Sequence, residues 1–362
     1  MKLKKESIKR IEMIVVFILL FLFKGTYAAD KDSSWTVRIG LMENVSSVSI
    51  NGQKVTAQNM IEDRAVFKFS GNKWTQVNGK PYRGDIEVRK SPKGGVTVIN
   101  VLDIDEYLYG VITEEISPAW PREAVKAQIV AARTFALKNA GKHQDEGFDL
   151  CTTVHCQVYG GVNSEDRISN KYVDETRGQV ITYQGKLINA AYHGICGGMT
   201  EDPRNVWDVK DKIPYLTPVI CNWCRNAPGF TWEATLPLEK VQTALESAGI
   251  KVGKIENIRV SSKSRSGRAT EIKILGSKDS EVMSGNKFRL LLGGDILRST
   301  MFRVEKKGDE IVFKGKGWGH GVGLCQEGAR GMAAKDYKYK HILRFYYRGT
   351  QVEKWHSNGE KK

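Results

Sequence analysis

A change of hydrophobic period near Asp103 constrains this chain more than any other feature. Before it, the segments WTVRIGLM, VSSVSING, RAVFKFSGN, KWTQVNGKPY, GDIEVRKSPKGG and VTVINVL alternate apolar and polar residues between Gly, Asn and Pro. That two-residue period is the pattern of half-buried strands closed by tight turns. After it, DIDEYLYGVITEEI sets Ile104, Leu108, Val111 and Ile112 at helical spacing behind Asp103, a side chain suited to cap a helix. SPAW interrupts, and Pro121 is expected as the first residue of a second helix. REAVKAQIVAARTFALKNAGK then carries Val125, Ile129, Ala132, Phe135 and Ala136 on one stripe and stops at Gly141. The small residues Ala124, Ala127, Ala131 and Ala132 predict a closely packed, buried helix. Arg133 lies inside it and is costly to bury unpaired, so a buried salt bridge is its expected role.

Beyond residue 141 a polar loop bearing Cys and His runs to residue 163, and VITYQGKLINAAYHG predicts two strands around a Gln184–Gly185 turn. Residues 194–235 are rich in loops and proline. LEKVQTALESAG and NKFRLLLG predict helices, and IENIRVSS with ATEIKIL, then MFRVEKKGDEIVFKG, predict hairpins. GKGWGHGVGL is a glycine-rich loop opening a last helical stretch over about 323–347. Strands and helices mix without a βαβ rhythm and without internal repeats, so the expected class is α+β with a β-rich N-terminal part. The expected division is a leader at 1–29, β-rich sequence at 30–100, a core at 101–355 and a polar tail at 356–362.

The leader reads as an export signal. MKLKKESIKRIE is basic, Met13–Phe23 is unbroken apolar sequence, and small residues follow at Ala28 and Ala29. The run is shorter than the roughly 20 residues that span a bilayer, so cleavage is expected, with retention as an N-terminal anchor the alternative. Residues 1–29 hold six Lys/Arg and two Glu, a net +4, which leaves +11 of the formal +15 on the rest. A basic exported chain suits an anionic envelope surface, and export argues against nucleic acid as the partner. The six cysteines, Cys151, Cys156, Cys196, Cys221, Cys224 and Cys325, all follow the leader, where disulfides are permitted but their connectivity is open.

Glu114 and Glu115 stand where the first helical pattern ends. Adjacent helical residues point about 100° apart, so both cannot face one site equally. Ile116, Pro118 and Trp120 are apolar neighbours able to raise a carboxyl pKa by desolvation. The plain alternative is a solvated acid at a helix C-terminus, where the helix dipole disfavours it. In GKGWGHGVGLCQ, the glycines permit close approach of a ligand to the backbone, Trp318 could stack on a flat ligand face, and His320 and Gln326 could hydrogen-bond polar ligand groups. The alternative is a tight structural turn with a packed Trp. No Lys-Ser/Thr follows in register, so this is not a phosphate loop. His143, Cys151, His155 and Cys156 are residue types that zinc accepts, at a spacing unlike a standard finger.

Four stretches, NVLDIDEYLYGVITEEISPAWPREAVKAQIVAARTFAL (100–137), CQVYGG (156–161), AAYHGICGGMTEDPRNVW (190–207) and GKGWGHGVGLCQEGARGMA (315–333), together resemble the SpoIID/LytB family of bacterial cell-wall proteins. The resemblance runs from about residue 82 to about residue 350. It implies either a lytic transglycosylase that cleaves peptidoglycan glycan strands after an amidase has removed their peptides, or a non-catalytic enhancer of such an N-acetylmuramoyl-L-alanine amidase. The family's catalytic glutamate maps onto Glu115. Here Glu115-Ile116-Ser117-Pro118 replaces the family's Glu-Met-Pro, which keeps Glu114 as the alternative. Gln157, Tyr159, Gly197, Gly198 and Thr200, with Trp318, His320 and Gln326, are the positions expected to line a central glycan-binding cleft. No cofactor is implied for the chemistry. A structural zinc at His143, Cys151, His155 and Cys156 is implied by zinc-bearing members of the family. For Cys196, a disulfide to Cys221 or Cys224 is the expectation rather than a second metal site, and Cys325 is expected to be a free buried thiol.

Overall fold

The computed structural model describes residues 35–68 and 74–355. The leader at 1–29 and the tail at 356–362 lie outside the described residues. The alternating N-terminal segments form two sheets. Strand Val96–Asp103 pairs antiparallel with both Thr36–Val45 and Asp85–Lys90, and the five-stranded sheet is completed by Arg64–Phe67 at one edge and Leu150–Cys151 at the other. A four-stranded sheet of short hairpins stands beside it, and its Asn78–Gly79 turn has positive φ at both residues, as a two-residue hairpin of this hand requires.

The period change marks the entry to the helices. Helix α1 (Ile104–Tyr109) is capped by the Asp103 carboxylate, which accepts from the backbone N–H of Asp105. It ends at Gly110, where any Cβ would lie 2.7 Å from the Tyr159 ring and 2.8 Å from the Gly161 carbonyl. The helical pattern read through this point is broken in two, and α2 (Ile112–Glu115) is a single further turn. Helix α3 (Arg122–Lys138) begins one residue later than expected, with Pro121 as its cap residue. Helix α4 (Arg167–Glu175) follows the Cys/His loop.

Helix α3 is the shared wall of two cores. Val125, Ile129, Ala132 and Ala136 pack with the N-terminal sheets and α1. Ala124, Ala127, Val130 and Ala131 pack with the C-terminal elements α7 (Gln326–Ala333) and α8 (Tyr339–Tyr346) and with the strands after residue 179. Small residues on the second face let those helices approach closely. The expected salt bridge is present: Arg133, fully buried, pairs with Asp105 at 2.6 Å and also donates to the Val173 and Gln179 carbonyls. A third core lies within residues 232–313, where helices α5 (Leu238–Ser247) and α6 (Gly285–Leu292) pack on two three-stranded antiparallel sheets. Separate, mainly antiparallel sheets with helices segregated around them make the fold α+β. Among the described residues no helix is long and apolar enough to cross a membrane.

Candidate active site

The site is assembled from four distant segments. The one-turn helix α2 places Glu115 at its last position, and Ile116 leaves in an extended conformation. Strand Tyr192–His193 runs parallel to Leu324–Cys325, which brings the AAYHG stretch against the glycine-rich loop. Gly323 allows this: its φ is +73°, and a Cβ there would stand 2.0 Å from the Ala191 carbonyl oxygen. Helix α7 then starts at Gln326 and points its first side chain back at Glu115.

A cavity of about 500 Å³ opens here, lined by Glu115, Phe135, Gln157, Tyr192, Trp207 and His320 among others. Hydrogen bonding around Glu115 is directional. The Tyr107 hydroxyl donates to Gln157 Oε1 at 3.3 Å, Gln157 Nε2 donates to the Tyr192 hydroxyl at 3.0 Å, and the Tyr192 hydroxyl donates to Glu115 Oε1 at 2.9 Å. Because Gln157 fills the acceptor side of Tyr192, the Tyr192 proton is directed at the carboxylate. Burial pushes the Glu115 pKa above the ordinary glutamate value. Hydrogen bonds from Tyr192 and Gln326 pull the other way, and the neighbouring Glu114 charge adds to the rise. Burial raises the Tyr192 pKa as well, so Tyr192 remains a donor. Glu114 is exposed, and it accepts a hydrogen bond from the Ser164 hydroxyl. The two adjacent glutamates therefore diverge, and Glu115 is the one held in the hydrogen-bonded chain.

The other expected residues fall into two groups. Gln157, His320 and Gln326 gather around Glu115. Both His320 ring nitrogens are committed, Nε2 to the Tyr192 carbonyl at 2.9 Å and Nδ1 to the Val322 N–H at 3.0 Å. Burial lowers its pKa to about 4, so the ring is neutral near pH 7 and acts as a wall of the cavity beside Trp207. Tyr159, Thr200, Gly197 and Gly198 stand elsewhere. Tyr159 is buried, with its hydroxyl on Asn100 at 2.8 Å and its ring against Tyr107. Thr200 is buried and joined to Val219 by its backbone and hydroxyl. Gly197 and Gly198 shape a left-handed turn against the strand around Lys316. Trp318 is 41% exposed, with the Arg298 guanidinium 4.6 Å over its ring. Tyr192 and Trp207 are not marked by the sequence, and Phe135, read there as part of the apolar stripe of α3, lines the cavity instead. Tyr192 and Trp207 lie inside a quoted motif, but no spacing distinguishes them from their neighbours.

His143, Cys151, His155 and Cys156 come together with donor atoms within 4.8 Å of one another. Cys156 Sγ is 3.4 Å from His143 Nε2, and Cys151 Sγ is 3.7 Å from His155 Nδ1. The Glu146 carboxylate sits on His143 Nδ1, the orientation an outer-shell carboxylate gives a metal-binding imidazole. Two thiols and two imidazoles in this arrangement fit one tetrahedral zinc. His155 and Cys156 also border the cavity.

Residues 92–183 match the stage II sporulation protein family (SpoIID), and residues 222–323 match a domain of unknown function, DUF8618. The chain is 39% identical over 336 residues to an uncharacterized protein of Brachyspira hyodysenteriae, covering 91% of this chain and 88% of that one. It is 30% identical to the amidase enhancer of Bacillus subtilis over 68% of this chain, and it spans only 40% of that relative's length. It is 27% identical to the stage II sporulation protein D of Bacillus subtilis over 77% of this chain and 84% of the relative. With the four motifs, their order and these similarities, the chain belongs to the SpoIID/LytB family.

Proposed function

We propose that this chain is an exported lytic transglycosylase of the bacterial cell envelope, cutting peptidoglycan glycan strands from which an amidase has removed the peptides. One observation carries the reading. Glu115 is a sheltered carboxyl group with a raised pKa, and the only other carboxylate among the described residues lining its cavity, Glu114, is engaged by Ser164. A hydrolase uses two carboxyl groups across the scissile bond. A transglycosylase needs one, because the sugar supplies the nucleophile.

The steps balance with Glu115 alone. Protonated Glu115 gives its proton to the glycosidic oxygen as the bond from C1 to that oxygen breaks. The muramyl 6-hydroxyl oxygen bonds to C1, its proton passes to the Glu115 carboxylate, and an anhydro-ended strand leaves with the acid restored. Tyr192 holds Oε1 as an acceptor, which leaves the proton to Oε2. Gln326 steadies the ionised form between the two transfers. Trp207 and His320 line the cavity with flat surfaces of the kind sugars stack on. Zinc at His143, Cys151, His155 and Cys156 would be a closed structural site that anchors the loop carrying Gln157. The leader sequence supports export, and the net +11 on the rest of the chain suits an anionic wall surface.

The 30% identity to a protein named amidase enhancer favours a second reading, a wall-binding partner of an amidase that uses the same cavity without cutting. Product analysis separates them. On intact wall, the first reading predicts anhydro-ended fragments when an amidase is added with the chain and few without it. Accelerated peptide release with uncut strands would favour the second.

A further inference from the structure

We propose that Cys196, Cys221, Cys224 and Cys325 form a second metal site, a tetrahedral four-thiolate zinc centre that locks the glycine-rich loop and the start of α7 beneath the active site. All four side chains are essentially inaccessible, and their sulfurs lie within 4.8 Å of one another. Zinc–sulfur bonds of about 2.3 Å imply sulfur–sulfur edges of roughly 3.8 Å, so the cluster is the size a single ion sets. The expectation from sequence, a disulfide from Cys196 and a lone Cys325, gives way to a set in which every sulfur neighbours the other three. The Cys196 and Cys224 sulfurs are 3.4 Å apart and unbonded. Tertiary pairing rather than spacing delivers the fourth ligand, because Cys325 pairs with His193 across the parallel bridge.

The surroundings suit thiolates. Cys325 Sγ accepts from the N–H groups of Cys196 at 3.2 Å and Gly328 at 3.3 Å, the latter at the N-terminus of α7. Cys196 Sγ accepts from the Gly198 N–H at 3.4 Å, and the Tyr346 hydroxyl lies 3.2 Å from Cys221 Sγ. Such donors stabilise negative sulfur and do little for a disulfide. A Cβ at Gly328 would lie 2.8 Å from Cys221 Sγ and 2.0 Å from the Tyr346 hydroxyl, so this position must be glycine for the helix to reach the sulfurs.

Charge is the independent observation. Arg268 is fully buried, donates to the Cys196 carbonyl at 2.6 Å and the Met199 carbonyl at 2.9 Å, and makes no salt bridge among the described residues. The buried Glu201 carboxylate is joined to it through Ser266 and attracts it without touching it. A buried guanidinium with no carboxylate in direct contact is costly. Four thiolates on zinc carry a net double negative charge and would add to the attraction of Glu201 across one loop. Four protein ligands leave no open position, so the site is structural. Its loss would loosen Gln326, the residue after Cys325.

The test uses the full chain, with metal analysis and intact mass. Zinc should be retained at one equivalent per chain in His143→Ala/Cys151→Ser, and one equivalent should be lost from the wild-type content in Cys221→Ser/Cys224→Ser. Should the second variant fail to fold, cobalt in the first variant keeps the proposal testable, since it should give the intense sulfur-to-metal absorption of a four-thiolate site. Folded His143→Ala/Cys151→Ser protein that holds no zinc or cobalt would overturn the proposal. So would a denatured, unreduced mass lacking the hydrogens that two disulfides remove.

Discussion

At the scale of the residue, Glu115 carries opposed demands. Its shelter raises the pKa, which suits an acid, and two hydrogen bonds hold that rise in check. The alkaline limb of kcat/KM should therefore report Glu115 losing its proton. Removing a donor to the ionised form must raise the pKa further, so Gln326→Ala should move that limb to higher pH. A limb that stays in place would show that Gln326 does not tune the acid. The same shift has a stability consequence. A carboxyl whose folded pKa lies above its unfolded value near 4.5 contributes stability below that pH and loses it as pH rises through the folded pKa. Glu115→Gln should accordingly melt at the same or a higher temperature than wild type near pH 7, with the gap changing against the variant below about pH 4.5. Glu115 was readable in the sequence as one of two candidates. What separated it from Glu114 was a partner 77 positions away, Tyr192, which no local pattern marks.

At the scale of the element, α3 decides how the halves of the site meet. Its alternation of larger aliphatic and small residues was legible, and so was the need of Arg133 for a partner. The identity of that partner was not, because Asp105 also sits beside the Asp103 cap in a helix start that looks ordinary. Asp105→Ala would leave Arg133 buried with only two carbonyls and the Thr176 hydroxyl, and a loss of about 3–5 kcal/mol in denaturant unfolding is expected. A loss under about 1 kcal/mol would mean that the carbonyls of Val173 and Gln179 suffice. The helical pattern read across Gly110 became two short helices, and the residue at the break has no room for a side chain because the Tyr159 ring occupies that place.

At the scale of the molecule, the α+β class and most hairpins followed from period and turn residues. Gathering was the part local pattern could not express. Gln157, Tyr192, His320 and Gln326 surround Glu115 because a parallel bridge and a shared central helix fold four motifs onto one cavity. Tyr159 and Thr200, from the same motifs, went to the scaffold. The measurement that tests the account most directly is a digest of peptide-free glycan strands by wild type and Glu115→Gln, read by mass spectrometry. The account predicts anhydro-ended fragments from wild type and a rate lower by roughly 10²–10⁴-fold in the variant, the range for a lost general acid, with strand binding intact. Fragments formed equally by both, or by neither, would contradict it.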